Sequence, residues 1–237
     1  MKNIFCCFLI FFGAAVFCAA EGIAEESRKG KEKVEMSYAF GMVVASDLVE
    51  TGLEFNYNSF IRGFREVLEK QETRYTMEEA MDMIQAAYEA AQTRIGDRNR
   101  EEGEAYLAEN GKRSGVITTS SGLQYEVISQ GNSSQEGGEK PGPQDTVQVH
   151  YRGTTLDGNE FDNSYERGEP VEFPLDGVIR GWTEGLQLMS VGSTYRFVIP
   201  PNLAYGSRGA GSAIGPHSTI IFEVELLAIV RPPEDDE

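Results

Sequence analysis

Between Val147 and Phe222 the chain gathers aromatic side chains, one acid and a glycine-flanked turn. Phe161 and Asp162 come first, then Val178-Ile-Arg-Gly-Trp182, Tyr205-Gly206, Ile214 and Ile220-Ile-Phe222. No nucleophile paired with a base, metal cluster or phosphate loop accompanies them. The run Gly206 to Gly211 lacks the Lys-Ser/Thr ending and the following helical pattern that a phosphate cradle needs, and reads as a flexible rim. His150 and His217 are isolated in sequence and do not form a metal set. Alternation turns His150 away from the face of Val147, Val149 and Tyr151. Such residues suit a reaction that breaks no covalent bond. Rotation about a prolyl amide, with a barrier of about 18–20 kcal/mol, is chemistry of this kind. Taken singly, Phe161 reads as core, Asp162 as a turn cap and Trp182, the only tryptophan, as a core plug. Their company changes that reading, because Gly177 and Gly181 bring backbone close to any guest.

The elements that must hold this set are strands. Leu123, Tyr125 and Val127 alternate with polar residues, as do Val147, Val149 and Tyr151. Tyr195 to Ile199 and Thr219 to Val230 are rich in β-branched and aromatic residues. Asp157-Gly158 signals a hairpin, and residues 130–144, rich in glycine, serine and proline, read as a loop. The helical piece of this half lies around Arg180 to Leu188. The sum is an α+β fold.

The preceding residues, 34–113, contain no proline and are helical in pattern. Met36, Phe40, Val43, Val44 and Leu48 mark one amphipathic face, which Gly52 ends. Phe60, Ile61, Phe64, Val67 and Leu68 mark a second helix over about 58–71. A third begins with a capping box, Thr76 with Glu79, and runs to Asn110, roughly 50 Å at 1.5 Å per residue. Its apolar stripe (Met77, Met81, Ile84, Tyr88, Ile95) stops at Gly96. The later half is polar all round, which suggests a bridge between domains, with Gly96 and Gly103 as bending points. Five of the seven methionines lie in this helical region. They suit either an ordinary core or an interface interlocked with a second copy.

The net charge of −17 argues against nucleic acid as a partner. Residues 1–20 read as a signal peptide: Lys2, an apolar run, then Cys18-Ala-Ala before Glu21. All three cysteines lie within it, so the exported chain would hold no disulfide, catalytic thiol or cysteine-based zinc site. Cys18 also permits a second reading, as the lipidated first residue of an anchored protein.

Val149-His-Tyr-Arg-Gly-Thr154, Asp157-Gly-Asn-Glu-Phe-Asp162, Val178-Ile-Arg-Gly-Trp182, Ile199-Pro-Pro-Asn-Leu-Ala-Tyr-Gly206 and Phe222-Glu-Val-Glu-Leu-Leu227 resemble the FKBP-type peptidyl-prolyl isomerase domain. Ser37-Tyr-Ala-Phe-Gly41, Phe60-Ile-Arg-Gly-Phe64 and Glu102-Gly-Glu-Ala-Tyr106 are similar to the secreted bacterial Mip and FkpA branch. The resemblance implies a twisted antiparallel sheet wrapped around a short helix, preceded by an all-α dimerisation domain and a long connecting helix. It divides the chain into a signal peptide (1–20), a helical dimerisation domain with linker helix (21–113), the isomerase domain (114–232) and an acidic tail (233–237). It also implies catalytic roles for Asp162, Tyr205 and the Ile179 N–H. Tyr151, Phe161, Val178, Trp182, Ile214 and Phe222 would line the substrate pocket, with Arg167 steadying the acid. No cofactor or metal is implied. The expected partners are proline-containing unfolded or exported polypeptides, a second copy bound through the N-terminal helices, and macrolide inhibitors. The expected location is the periplasm, or the outer membrane if Cys18 carries lipid. Two departures stand out: Val171, where small cytosolic members often have an aromatic, and Ala210, where some carry a histidine. Both shrink the rim rather than the floor. A second functional reading is a client-binding chaperone whose catalysis is incidental.

Overall fold

The computed structural model describes residues 30–49, 51–131 and 138–230. Residues 1–20, read from the sequence as a signal peptide with Cys18 in it, and residues 233–237, read as an acidic tail, lie outside them. Packing divides the chain between Lys70 and Gln71, rather than at residue 113, where the composition changes.

The first unit is built by local signals. Helix α1 spans residues 30–49; after it Gly52, at φ 68°, takes the left-handed conformation expected near a helix stop. Helix α2, Tyr57–Leu68, is started by the Asn56 side chain, which accepts the Ser59 N–H at 3.0 Å. Phe40, Val44, Leu48, Phe60 and Phe64 line a groove of about 650 Å³ between these helices. None of the described residues of this unit is buried. Phe40, Val43 and Ile61 are each more than half exposed.

In the second unit, α3 spans Met77–Asn110 and begins with the expected capping box of Thr76 and Glu79. Seven antiparallel strands follow: β1 (Val116–Thr118), β2 (Gln124–Ser129), β3 (Thr146–Thr155), β4 (Glu160–Asn163), β5 (Val171–Pro174), β6 (Thr194–Ile199) and β7 (Ile220–Val230). Their order is β1-β2-β6-β7-β3-β4, with β5 paired to the first part of β3. The Asp157-Gly158 turn joins β3 to β4, with Gly158 at φ 87°. Two short helices complete the unit, α4 (Ser164–Arg167) and α5 (Arg180–Leu186).

Helix α5 lies on the concave face of the sheet because two glycines, one turn apart, let its backbone in. A Cβ at Gly181 would stand 2.4 Å from Ile199 Cγ2, and one at Gly185 2.7 Å from Phe197 Cε1. Gly181 therefore faces the sheet, not a guest in the cleft. Between helix and sheet, Val147, Val149, Leu186, Phe197, Ile199 and Val224 are fully enclosed. Each such side chain contributes about 1.5–3 kcal/mol of burial.

The later half of α3 is not a free bridge. Gly96, Gly103 and Asn110 are buried, and the helix docks on this same unit. A Cβ at Gly96 would meet His217 Cδ2 at 3.1 Å; one at Gly103 would meet Thr219 Oγ1 at 2.5 Å. Asn99 Nδ2 donates to the Pro216 carbonyl at 2.9 Å. Asn110 Nδ2 donates to Gln124 Oε1 at 2.8 Å, and Gln124 Nε2 donates to the Leu107 carbonyl at 2.8 Å. Gly96 and Gly103 are points of close approach within an unbroken helix, not bends. His217 belongs to the docked turn, at φ 55°.

Candidate active site

Each residue of the site owes its direction to strand alternation or to a helix end. On β3, Tyr151 follows Val147 and Val149 inward, while His150 turns away and stacks on Tyr165 at 4.5 Å. Ser164, fully buried, accepts the Tyr151 N–H at 2.8 Å and fixes the strand where the tyrosine departs. On β4, Phe161 and Asp162 are half-buried. Val178 and Ile179 lead into α5, whose first turn carries Trp182. Phe222 projects from β7. Tyr205 and Ile214 come from the loop between β6 and β7.

The rings form a box. Trp182 stands edge-on to Tyr151 at 5.1 Å, to Phe222 at 5.1 Å and to Phe173 at 5.4 Å between centroids. Phe161 meets Phe222 edge-on at 5.4 Å. Edge-to-face pairs of this kind add about 0.5–1.5 kcal/mol each beyond area burial. Gly153, paired in register with Phe222 and with Asp162, makes room for them: a Cβ there would lie 2.6 Å from both Phe161 Cε2 and Phe222 Cε1. The indole Nε1 of Trp182 is buried with no hydrogen-bond partner among the described residues.

One wall of the box is polar. The Tyr151 hydroxyl donates to Asp162 Oδ2 at 2.6 Å, and Arg167 Nη1 donates to Asp162 Oδ1. Arg167 Nη2 also donates to the Tyr151 oxygen at 2.8 Å. Burial pushes the Asp162 carboxyl up, but the Tyr151 and Arg167 hydrogen bonds outweigh it and leave the acid below its ordinary range. Burial, with the Asp162 hydrogen bond, pushes the Tyr151 phenol up to about 12. Burial and then the charge of Asp162 raise Tyr205 as well. The Tyr205 hydroxyl and the Ile179 N–H have no hydrogen-bond partner among the described residues.

Tyr151, Trp182, Ile214 and Phe222 lie in one buried cluster, and Phe161, Val178 and Ile179 pack against it. Arg167 stays outside, exposed, and reaches the cluster through Asp162 and Tyr151. Tyr205, 37% exposed, stands at the rim. The rim is tied across rather than loose: Ala210 and Ile214 exchange backbone hydrogen bonds at 2.8 and 3.1 Å. Sequence reasoning missed Phe173. Its signal was the short alternation Val171-Glu-Phe173, hidden between Gly168 and Pro174. Among the described residues no cluster of metal-ligating side chains gathers, and no helix is long and apolar enough to cross a membrane.

Comparison with known proteins gives this arrangement its relatives. Residues 137–227 match the family described as FKBP-type peptidyl-prolyl cis-trans isomerase. Residues 33–127 match the domain amino terminal to it. The chain is 43% identical over 202 residues to the FKBP-type 22 kDa peptidyl-prolyl cis-trans isomerase of Escherichia coli, covering 84% of this chain and 96% of that one. It is 40% identical over 233 residues to FkpA of Aeromonas hydrophila, covering 92% and 83%. It is 34% identical over 207 residues to the outer membrane protein MIP of Legionella longbeachae, covering 84% and 87%. The crystal structure of FkpA from Escherichia coli superposes with a TM-score of 0.66 at 37% identity, covering 86% of this chain and 97% of that one. A helical N-terminal unit, an antiparallel sheet closed over a short helix, and these matches across both halves agree: the chain belongs to the FKBP-type peptidyl-prolyl cis-trans isomerases.

Proposed function

We propose that this isomerase accelerates X-Pro rotation by holding the twisted amide against the ring box, with Asp162, Tyr205 and the Ile179 N–H as its catalytic groups. The observation that carries the reading is the division of labour on the polar wall. Both oxygens of Asp162 are engaged by Tyr151 and Arg167, whereas the Tyr205 hydroxyl and Ile179 N–H are left to a guest. A planar amide is polarised by resonance, and twisting removes that polarity. An apolar box bounded by Tyr151, Phe161, Val178, Trp182, Ile214 and Phe222 is therefore less costly for the twisted amide than for the flat one. Two donors then hold the substrate carbonyls. Any preference for the twisted form speeds rotation about tenfold per 1.4 kcal/mol. Asp162 acts by its field and orientation, with Arg167 steadying it, and takes up no proton.

A slow, proline-limited refolding phase, which takes about 10–100 s uncatalysed, tests this. The protein should shorten that phase, and Tyr205→Phe and Asp162→Ala should each slow turnover while the fold persists. Full activity in both variants removes these residues from the site. Turnover should also be flat across neutral pH. The folded Asp162 lies below its ordinary value of 3.8, so its contribution to stability is present above that value. It is lost as pH falls through the depressed one. A bell centred near neutrality would mean that a proton is transferred.

The N-terminal unit supports a second activity. Its groove and the apolar faces of α1 and α2 are open in a single chain, which favours a homodimer joined through these helices, with chaperone activity toward unfolded clients. Removing the unit should abolish suppression of aggregation and spare turnover on a short peptide. The cut belongs before Ile95, because a cut at Ser114 strips away the docked half of α3. We assign residues 1–20 to export, and the acidic residues 233–237 to a tail beyond the isomerase domain. The clients are then exported polypeptides met in the periplasm. A lipid on Cys18 would instead hold the protein at the outer membrane, and the intact mass of the exported protein decides between them.

A further inference from the structure

We infer that Asn99, on the docked half of α3, is a positioning residue for the rim of the isomerase cleft. This rests on the assignment of Tyr205, Ile214 and Phe222 to that cleft. Ile214 and Phe222 flank one segment, residues 215–219, to which Tyr205 is tied through Gly206, and that segment is what α3 grips. Asn99 Nδ2 donates to the Pro216 carbonyl at 2.9 Å and to Ser218 Oγ at 3.3 Å. Ser218 Oγ in turn donates to the Gly215 carbonyl at 2.9 Å. On one side the segment continues to Ile214, whose backbone is paired with Ala210. On the other it enters β7 two residues before Phe222. The His217 N–H donates to the Gly206 carbonyl at 2.8 Å, next to Tyr205. One amide side chain thus holds the turn from which the pocket's outer groups hang.

Its neighbours on the helix leave the turn little freedom. Gly96 and Gly103 admit Pro216, His217 and Thr219 to backbone distance. Gly215 is equally confined, since a Cβ there would stand 2.9 Å from Asn99 Nδ2 and 3.3 Å from Ile95 Cγ2. Thr219 is 2% exposed. A fraction of an ångström lost at Asn99 passes into the placement of the Tyr205 hydroxyl, where small misplacements carry large rate effects.

The test uses full-length protein. Wild type, Asn99→Leu, Tyr205→Phe and the double variant are compared on a short proline peptide, with emission of the single tryptophan, Trp182, reporting the folded pocket. Asn99→Leu should lower kcat/KM about three- to tenfold, mostly in kcat, with Trp182 emission unchanged. Its loss and that of Tyr205→Phe should not multiply, because both act through the same hydroxyl. Wild-type activity in Asn99→Leu, or losses that multiply, overturns the proposal. If Asn99→Leu fails to fold, Gly103→Ala decides. Its new methyl should displace Thr219 and slow turnover, and Thr219→Ala in the same chain should restore it. Full activity in Gly103→Ala overturns the proposal too. An active wild type whose Tyr205→Phe variant is also fully active sinks the cleft assignment instead, and this inference with it.

Discussion

Along the 34 residues of α3, the first half presents Met77, Met81, Ile84 and Tyr88 to solvent, while the second half, richer in charged side chains, buries Gly96, Gly103 and Asn110. By hydrophobicity alone the assignment would be the reverse. What decides it is how close another backbone can come. Glycines let the 215–219 turn close on the helix backbone, and the Asn99 amide takes up the Pro216 carbonyl and Ser218 Oγ, while Thr219 Oγ1 stays buried without a partner among the described residues. A buried polar atom left without a partner costs about 1–3 kcal/mol, so that amide is as necessary as the glycines. In the first half only Ala91, at its end, is buried among the described residues, and the large apolar side chains before it stay exposed. That stripe is the feature that a second copy would cover.

Three changes would break or sharpen this contrast. The largest effect is expected in the apolar half. Met81→Glu with Ile84→Glu should weaken self-association at least about a hundredfold in sedimentation, without altering the melting of the isomerase unit. Self-association equal to that of the wild type would show that this stripe covers nothing. Next, Gly103→Leu should force α3 off Thr219 and cost about 2–3 kcal/mol in denaturant unfolding of that unit. Unchanged stability would mean that the docking is dispensable. Smallest is Asn110→Leu, which leaves Gln124 Oε1 unpaired and should cost about 1–2 kcal/mol. A stabilised variant would show that the amide pair is replaceable by apolar contact.

These halves also show what a sequence discloses. The capping box at Thr76, the alternation of Val147, Val149 and Tyr151, the Asp157-Gly158 turn and the start of α5 at Arg180 are short-range signals, and the structure has each in place. The site residues drawn from family likeness fall mostly into one cluster for the same reason: strand alternation and one helix turn aim them. Phe173 escaped because β5 is four residues long, too short to show a period. The docking of α3 escaped because glycine and asparagine carry no hydrophobic signal, and the partners of Gly96, Asn99 and Gly103 lie more than a hundred residues away. Likewise Gly181 reads as an opening for a guest until Ile199 is seen against it.

Gly153 bears on how the cleft can change over evolutionary time. Because Phe161 and Phe222 close over the place where its Cβ would be, even one methyl there would act as a built-in stopper, prying the two rings apart from behind. Drift at this codon is therefore shut on the inner side. Adaptation to new peptides is left to the rim, where Tyr205 stands partly exposed and Ala210 pairs with Ile214.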